Sequence, residues 1–412
     1  MNIKFPFKSL IGLAFIGSVS TYTSANNNAF LQHAPKATKQ EALIKHWRQP
    51  ELELRFMDIA ELEKPYISFA PVDQKDSIRV AKNTTKVDKT ALSELAGEIA
   101  TGEHGKLDSL LISHRGRLLF ESYYRRGRID LSHPQSSATK SYTSLAVGRA
   151  IQMGYLTMAD LHKPVISFLT HLNPQKLVAG AERITLHHAL TMTTGIDISE
   201  EQWKAINEKP QQLKGQNEIQ IILETSKAIT QQTQVFKYGT GPQFIMQVLD
   251  TVVPGSAKDF IQKELLDKLG ISNYHWKTAP SGLPESGWKT SFTSRDMLKF
   301  GMLAINNGKW QGEQLISEEY LNKATSRLVY TGDGDIYGGG ENVSNQGYGY
   351  YFWGTDLSVG DRKYSSASAQ GGGGMYILLV KELDLVVVVT AHHRNDSTQQ
   401  LVAEHIIPLL IQ

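Results

Sequence analysis

The sequence predicts an α+β fold in which both ends of the chain build one antiparallel sheet, flanked by helices, around an inserted and mostly helical domain. Apolar strand-like runs occur early, over 110–120, and late, over 376–389, whereas the stretch between them has mainly helical spacing. Strands and helices do not alternate as a parallel doubly wound sheet requires, and this segregation favours an antiparallel layer. We therefore assign 86–150 and 286–412 to one α/β domain and 151–285 to a helical domain.

The early elements of the sheet domain follow one another in a recognisable order. Helical spacing runs over 88–99. The segment 110–120 places two apolar runs around a charged stretch at 114–117, a pattern typical of a β-hairpin with its turn at the charged residues. A second helix follows over 141–153, and its many small residues predict that it packs against neighbours on all sides.

The late elements again combine helix and hairpin. Thr293 precedes a periodic apolar stretch and predicts a capped, buried helix. Residues 330–349 are rich in Gly and predict a loop. Two apolar runs between 376 and 389 predict a second hairpin, and 397–411 predict a closing helix.

The composition excludes several classes of function. The 412 residues carry 43 Lys and Arg against 41 Asp and Glu, a formal net charge of +2. This balance provides no basic field of the kind that nucleic acid binding requires. The chain has no cysteine, which removes disulfide scaffolds, thiolate nucleophiles, zinc fingers and iron–sulfur clusters together.

Residues 1–25 have the pattern of a cleaved secretory signal peptide. Two lysines precede an apolar stretch over 10–19, and small residues end the segment at Ala25. The apolar stretch is about half as long as the roughly 20 residues that a spanning helix needs. We therefore expect a periplasmic or secreted product with no integral membrane association, in which 26–85 form an N-terminal extension.

Ser137 and Lys140 form an S-x-x-K tetrad at the start of the small-residue helix. Residues three apart lie on one face of a helix, so the serine hydroxyl can bond the lysine amine one turn later. A lysine in a dry site loses its charge more readily, and the neutral amine can take the serine proton. A second tetrad, Ser286 to Lys289, follows a proline and opens no helix.

The order of these motifs resembles the serine β-lactamase and penicillin-binding protein superfamily, and it looks most like the class C β-lactamase-related hydrolases. The stretch 136–144 is similar to the family's nucleophile helix, 184–195 to its helix and turn ending in Thr-Gly, and 383–388 to its penultimate strand. The resemblance covers roughly 90–412. It implies a β-lactamase/transpeptidase-like fold, a covalent acyl-serine intermediate, a small-molecule or peptide-like substrate, and no metal or organic cofactor.

The resemblance also implies a tyrosine from the helical domain as a proton shuttle. Tyr238 falls at that position, where a neighbouring Lys140 cation would favour its phenolate. Thr240 stands where the family has Asn or Ser, and its hydroxyl is expected to contact substrate or to hold Lys140.

A third family element lies on the strand that edges the active site. The stretch 369–374 reads Ala-Gln-Gly-Gly-Gly-Gly, so Ala369 replaces the cation that seats the carboxylate of a β-lactam. The resemblance implies an oxyanion hole from the backbone N–H groups of Ser137 and Gly372, with Gln370 and Gly371 contacting substrate. Among relatives, the 6-aminohexanoate-dimer hydrolases show a similar Gly-rich stretch without the cation.

We therefore predict an exported serine hydrolase that cleaves an amide or an ester. One alternative is a D,D-peptidase or a β-lactamase, against which Ala369 counts. A second alternative is a non-catalytic binding protein that retains the fold, for which the departures at Thr240 and Ala369 leave room. The adjacent pairs His187–His188 and His392–His393 are poor metal sites because neighbouring side chains point apart.

Overall fold

A computed structural model of the protein describes residues 30–81, 88–393 and 396–411. The predicted signal peptide at 1–25 lies outside the described residues, as do the first residues of the predicted extension. None of the helices within the described ranges combines the length and apolar character that crossing a bilayer would need.

The helices lie on both sides of the sheet and fill the middle of the chain. Those of the described ranges are α1 (Lys89–Thr101), α2 (Thr139–Gln152), α3 (Leu186–Leu190), α4 (Glu200–Asn207), α5 (Asn217–Thr225), α6 (Gly241–Val252), α7 (Ala257–Phe260), α8 (Ser294–Ile305), α9 (Glu318–Ala324) and α10 (Thr398–Leu401). Segments of π-helix, Ile261–Leu266 and Val402–Ile406, prolong α7 and α10.

The strands form one large sheet and three small ones. They are β1 (Arg48–Gln49), β2 (Leu54–Arg55), β3 (Tyr66–Ser68), β4 (Leu107–His114), β5 (Arg117–Tyr123), β6 (His133–Pro134), β7 (His275–Trp276), β8 (Thr290–Phe292), β9 (Lys309–Trp310), β10 (Glu313–Gln314), β11 (Val329–Tyr330), β12 (Val343–Tyr348), β13 (Trp353–Val359), β14 (Arg362–Gly371), β15 (Met375–Val380) and β16 (Leu385–Ala391).

The large sheet joins the two ends of the chain. Its order is β11-β12-β13-β14-β15-β16-β4-β5-β3, and its pairings are antiparallel. The late strand β16 pairs directly with the early strand β4, with Val388 opposite Leu111. This arrangement confirms the predicted fold class. Residues 151–285, all of them described, contribute no strand to this sheet, and their assignment to a separate domain stays a prediction.

Both predicted hairpins are present. The β4–β5 turn has positive φ at Arg115 (50°) and Gly116 (67°), which matches the type I′ geometry that a two-residue hairpin favours. The β15–β16 connection turns at Asp384, which also has positive φ. The near-continuous apolar sequence of β16 suits a strand that is covered on both faces.

The loop predicted over 330–349 is wrong in its second half, where β12 runs as a sheet strand. Gly347 does not break this strand; the absence of a side chain there lets Arg327 pack closely against the backbone. Gly347 pairs with Gly354 of β13, and the side chain of Arg327 lies over both. A Cβ on Gly354 would come within 2.5 Å of that arginine.

Helices cover both faces of the large sheet. On one face, α1 and the C-terminal helical segment pack apolar residues against β4 and β16. On the other face, α8 lies against β15 and β16, and α2 lies beyond it in the larger core. The predicted burial of the second helix is confirmed, since α2 is buried over most of its length and α9 packs closely against its Gly148.

The N-terminal extension is part of the sheet structure. Its strand β3 pairs with β5 as an edge strand. Asp76 binds the buried Arg295 of α8 at 2.6 Å, and Arg295 also donates two hydrogen bonds to the buried Glu121 of β5. The extension is thus tied to the sheet by backbone pairing and by a charge-assisted network.

A second buried charge connects the extension to the strands. Asp108 of β4 is fully buried and accepts hydrogen bonds from His133 (2.9 Å), His392 (2.8 Å) and the backbone N–H of Arg126 (3.0 Å). Burial alone would raise its pKa, but the bonds from the two histidines lower it to about 2. The ring of His133 packs in turn against Phe56 of the extension.

Replacement of Asp108 by Asn should destabilise the fold by about 3 kcal/mol at pH 7, because it removes the buried negative charge and replaces one of the two oxygens that accept from His133, His392 and Arg126 with an NH2 donor. The folded-state pKa lies below the ordinary value of 3.8, so this stabilisation is present above about pH 4 and is lost as the pH falls toward 2. Urea unfolding at pH 7 and pH 3 measures both effects. The exposed Asp361→Asn serves as control, and an equal loss in the two variants would contradict the assignment.

Candidate active site

Ser137 lies in a short 3₁₀ turn, Ser136–Ala138, that leads directly into α2. The preceding Ser136 has φ 48°, a left-handed conformation that is uncommon and strained for a residue with a side chain. Two hydrogen bonds hold it there: the hydroxyl of Thr139 donates to its carbonyl at 2.8 Å, and the indole N–H of Trp47 donates to its hydroxyl at 3.1 Å. The turn thereby fixes the backbone beside Ser137.

Lys140 reaches back to Ser137 as the S-x-x-K spacing predicts. Its Nζ lies 3.0 Å from Ser137 Oγ and 2.8 Å from the carbonyl oxygen of Gly287. The side chain is only 7% exposed. This burial lowers the pKa of Lys140 to about 8, because removal from water disfavours the ammonium form.

The backbone of the second S-x-x-K segment accepts hydrogen bonds from the helix that contains Lys140. The carbonyl of Gly287 accepts from Lys140, and the carbonyl of Ser286 accepts from the hydroxyl of Thr143 at 3.0 Å. A Cβ on Gly287 would lie 3.7 Å from Lys140 Nζ. The sequence predicted no role for residues 286–289, because no local pattern indicates that their backbone faces Lys140.

Tyr238 lies beside the same pair. Lys140 Nζ is 4.6 Å from the centroid of its ring, which stacks on Trp353. Burial raises the pKa of Tyr238 to about 12, although hydrogen bonds from Ser137 and Tyr348 act to lower it. The residue is still 41% exposed, so part of its ring is open to solvent. The hydroxyl therefore keeps its proton at neutral pH in the free protein, and stabilisation of its phenolate by Lys140 stays a prediction.

Thr240 is not a partner of Lys140 among the described residues. It immediately precedes α6, and the hydrogen bonds of Lys140 go to Ser137 and Gly287 instead. A contact between Thr240 and substrate stays a prediction.

The glycine-rich strand end packs against the turn that carries Ser137. A Cβ on Gly371 would lie 2.1 Å from the carbonyl oxygen of Gln135, so only glycine allows this approach. Gly373 and Gly374 donate their N–H groups to the hydroxyl of Tyr337, at 3.1 and 2.9 Å. The N–H of exposed Gly372 has no acceptor among the described residues.

The side chain of Gln370 faces away from open solvent. It is buried and donates to the hydroxyl of Ser368 at 2.8 Å. Its neighbour Ala369 is also buried and supplies no charge. A role for Gln370 and Gly371 in holding substrate therefore rests on their backbone and stays a prediction.

Trp47 brings the N-terminal extension into the site, which the sequence did not indicate. Besides its bond to Ser136, its ring lies against the glycine turn, where a Cβ on Gly373 would be 3.1 Å away. The ring also packs edge-on against Phe56 and His133. Trp47 thus contacts both the turn that carries Ser137 and the glycine turn at Gly373.

Glu285 is the acidic group whose charge acts on Lys140. Burial raises the pKa of Glu285 to about 7, against the opposing influence of Lys289, and Glu218 raises it further. Its negative charge acts to raise the pKa of Lys140, although burial of the lysine dominates. The protonation of these two groups is therefore linked.

Within the described ranges, one group of three side chains could hold a metal ion, and it lies outside this site. Glu98, His104 and His405 place their ligand atoms within 4.8 Å of one another, and Glu98 and His104 are hydrogen bonded at 2.8 Å. None of them contacts Ser137 or Lys140. The adjacent histidine pairs that the sequence analysis rejected are not part of it.

The family assignment follows from comparison with known proteins. The family model described as Beta-lactamase matches residues 106–407, so the chain belongs to this family, whose members are serine hydrolases. This confirms the resemblance to the serine β-lactamase and penicillin-binding protein superfamily. A comparison with curated proteins gives no match.

Solved structures share the fold at low sequence identity. A Bacillus anthracis protein assigned as a 6-aminohexanoate-dimer hydrolase has 15% identity and a TM-score of 0.58, over 92% of this chain and 95% of its own. The hydrolase EstCE1, with promiscuous acyltransferase activity, has 16% identity and a TM-score of 0.59, over 76% and 97%. A class C β-lactamase has 13% identity and a TM-score of 0.55, over 80% and 99%. At such identities the likeness concerns the fold.

Replacement of Trp47 by Phe should lower the turnover of any acyl substrate while leaving KM nearly unchanged. The variant keeps an aromatic ring but removes the N–H that holds strained Ser136 beside the nucleophile. We expect a loss of about tenfold in kcat, measured by steady-state kinetics. The control is Trp310→Phe, since the buried indole N–H of Trp310 has no partner in the described structure. Equal activities of the two variants would contradict the positioning role.

Proposed function

We propose that this protein is an exported serine hydrolase that cleaves an amide or ester bond through a covalent acyl-Ser137 intermediate. The observation that carries the proposal is the 3.0 Å contact between Ser137 Oγ and a buried Lys140 whose pKa lies near 8. Such a lysine is partly neutral at physiological pH and can act as a general base without a metal or a histidine.

The acylation step uses these groups in order. Neutral Lys140 takes the proton of Ser137 as its Oγ bonds to the substrate carbonyl carbon, and negative charge develops on the carbonyl oxygen. The N–H groups of Ser137 and Gly372 donate to that oxygen, and the free N–H of Gly372 suits this role. Breakage of the bond to the leaving group then leaves the acyl-enzyme.

Tyr238 supplies the proton to the leaving group. A phenol with a pKa near 12 remains protonated at neutral pH, so it can donate as the bond breaks. The ammonium of Lys140, beside its ring, returns a proton to the phenolate. A water molecule, deprotonated by neutral Lys140, hydrolyses the acyl-enzyme and regenerates the Ser137 hydroxyl.

The class of substrate is narrowed by the glycine edge. Ala369 offers no cation for the carboxylate of a β-lactam, which favours an amidase or esterase over a D,D-peptidase or β-lactamase. Export to the periplasm or medium rests on the sequence of 1–25 alone.

Labelling with a fluorophosphonate tests the nucleophile directly. We expect one adduct on Ser137, mapped by mass spectrometry, and its loss in Ser137→Ala together with loss of ester hydrolysis. Ser286→Ala, in the second S-x-x-K segment, is the matched control and should label normally. Retained hydrolysis in Ser137→Ala, or a folded protein without an adduct, would refute the proposal and favour a binding protein that keeps the fold.

A further inference from the structure

A cavity of about 330 Å³ lies beside the turn that carries Ser137. One wall belongs to the N-terminal extension and the opposite wall to the segment that follows Gly287. Residues that line it include His46, Trp47, Arg48, Lys277, Trp288 and Lys289. Residues 369–374, the glycine edge that the family resemblance identified, are not among the lining residues.

The lining of the cavity lies next in sequence to groups of the candidate site. Ser136, which lines it, immediately precedes Ser137, and Trp288 follows Gly287, whose carbonyl accepts from Lys140. Ser137 and Lys140 do not themselves line the cavity, so a substrate held at Ser137 Oγ would enter it past Ser136.

The charge of the lining is positive. Arg48, Lys277 and Lys289 supply three cations, and no carboxylate belongs to the lining. None of the three forms an ion pair within 4 Å in the described part of the chain. Two carboxylates outside the lining act on the region: Glu285 interacts with Lys277 and Lys289, and Glu51 interacts with His46.

Burial is the main influence on titration around the cavity. It lowers the pKa of Lys289, and Glu285 opposes this change more strongly than Lys277 adds to it. Burial also lowers the pKa of His46 to about 4, with further contributions from His275, Lys277 and Lys289. An anion in the cavity would favour the charged form of Lys289.

Aromatic surface completes the lining. Trp288 is 54% exposed, and the ammonium of Lys289 lies 3.8 Å from the centroid of its ring. Trp47 provides a second ring from the opposite wall. An exposed tryptophan next to cations is an arrangement that suits a ligand with both an apolar body and an anionic end.

We propose that this cavity binds a carboxylate carried by the substrate, so that the enzyme prefers amides or esters whose acyl chain ends in an acid. The inference rests on the proposed hydrolase function and specifies its substrate class. It assigns to Lys277 and Lys289, with Arg48 of the extension, the recognition of the anion that Ala369 cannot provide. The extension thereby acts as a specificity element of the site.

A matched pair of esters tests the preference. The substrates are mono-4-nitrophenyl adipate and 4-nitrophenyl hexanoate, which share chain length and leaving group and differ in the terminal carboxylate. For Lys277→Gln/Lys289→Gln we expect the ratio of kcat/KM on the adipate ester to kcat/KM on the hexanoate to fall at least about tenfold, mainly through the KM of the adipate. The ratio cancels any change in Lys140 that the two substitutions cause through Glu285, because both esters share it. The control is Lys176→Gln/Lys363→Gln, two exposed lysines outside the cavity. Equal losses on both esters, or none, would overturn the inference.

A binding measurement separates this inference from the proposed catalysis. Calorimetry with the Ser137→Ala protein compares 4-phenylbutyrate with neutral 4-phenylbutanamide. We expect the carboxylate alone to bind, more weakly as salt rises, and to lose binding when Lys277 and Lys289 are replaced. Equal binding of the amide, or carboxylate binding that survives the replacement, would overturn the cavity assignment. If binding follows the prediction but wild-type protein hydrolyses neither ester, the carboxylate site stands and the proposed hydrolase function fails.

Discussion

The site depends on keeping one lysine out of water beside one serine. The proposed role of Lys140 as a base requires the lowered pKa of about 8 that burial produces, and that burial costs free energy that the surrounding fold must supply. The all-round packing of α2, the carbonyl of Gly287 and the ring of Tyr238 together exclude solvent from its Nζ. Each of these comes from a different part of the chain, so the chemistry depends on the tertiary structure of the whole molecule.

The N-terminal extension contributes to this tertiary structure and to the site. It supplies an edge strand to the sheet, a carboxylate to Arg295, and Trp47, which bridges the strained turn and the glycine edge. The family model begins at residue 106, so the extension residues that make these contacts precede the part of the chain that it matches. Through Trp47, the extension contacts the turn of Ser137, which belongs to the matched part.

The features that could be predicted from the sequence are those that depend on the local spacing of residues. The two hairpins, the buried helix and the contact of Lys140 with Ser137 follow from periodicity and from residues three apart on one helical face. The sequence did not predict Trp47, Gly287 or Tyr337, which reach the site through contacts between distant segments. The loop predicted over 330–349 was wrong at β12, because composition does not distinguish a glycine that permits close packing from one that ends a strand.

Activation of Ser137 by Lys140 requires that the pKa of this lysine be lowered in the free protein. NMR titration of the protein with ¹³Cε-labelled lysine, assigned by comparison with Lys140→Met, measures the pKa of every lysine at once. We expect the Lys140 resonance to titrate near pH 8 and to move to lower pH in Glu285→Gln, because the carboxylate acts to raise the pKa. A pKa of Lys140 at the ordinary 10.5 would refute this mechanism, since the amine would then be charged at physiological pH and could not activate Ser137.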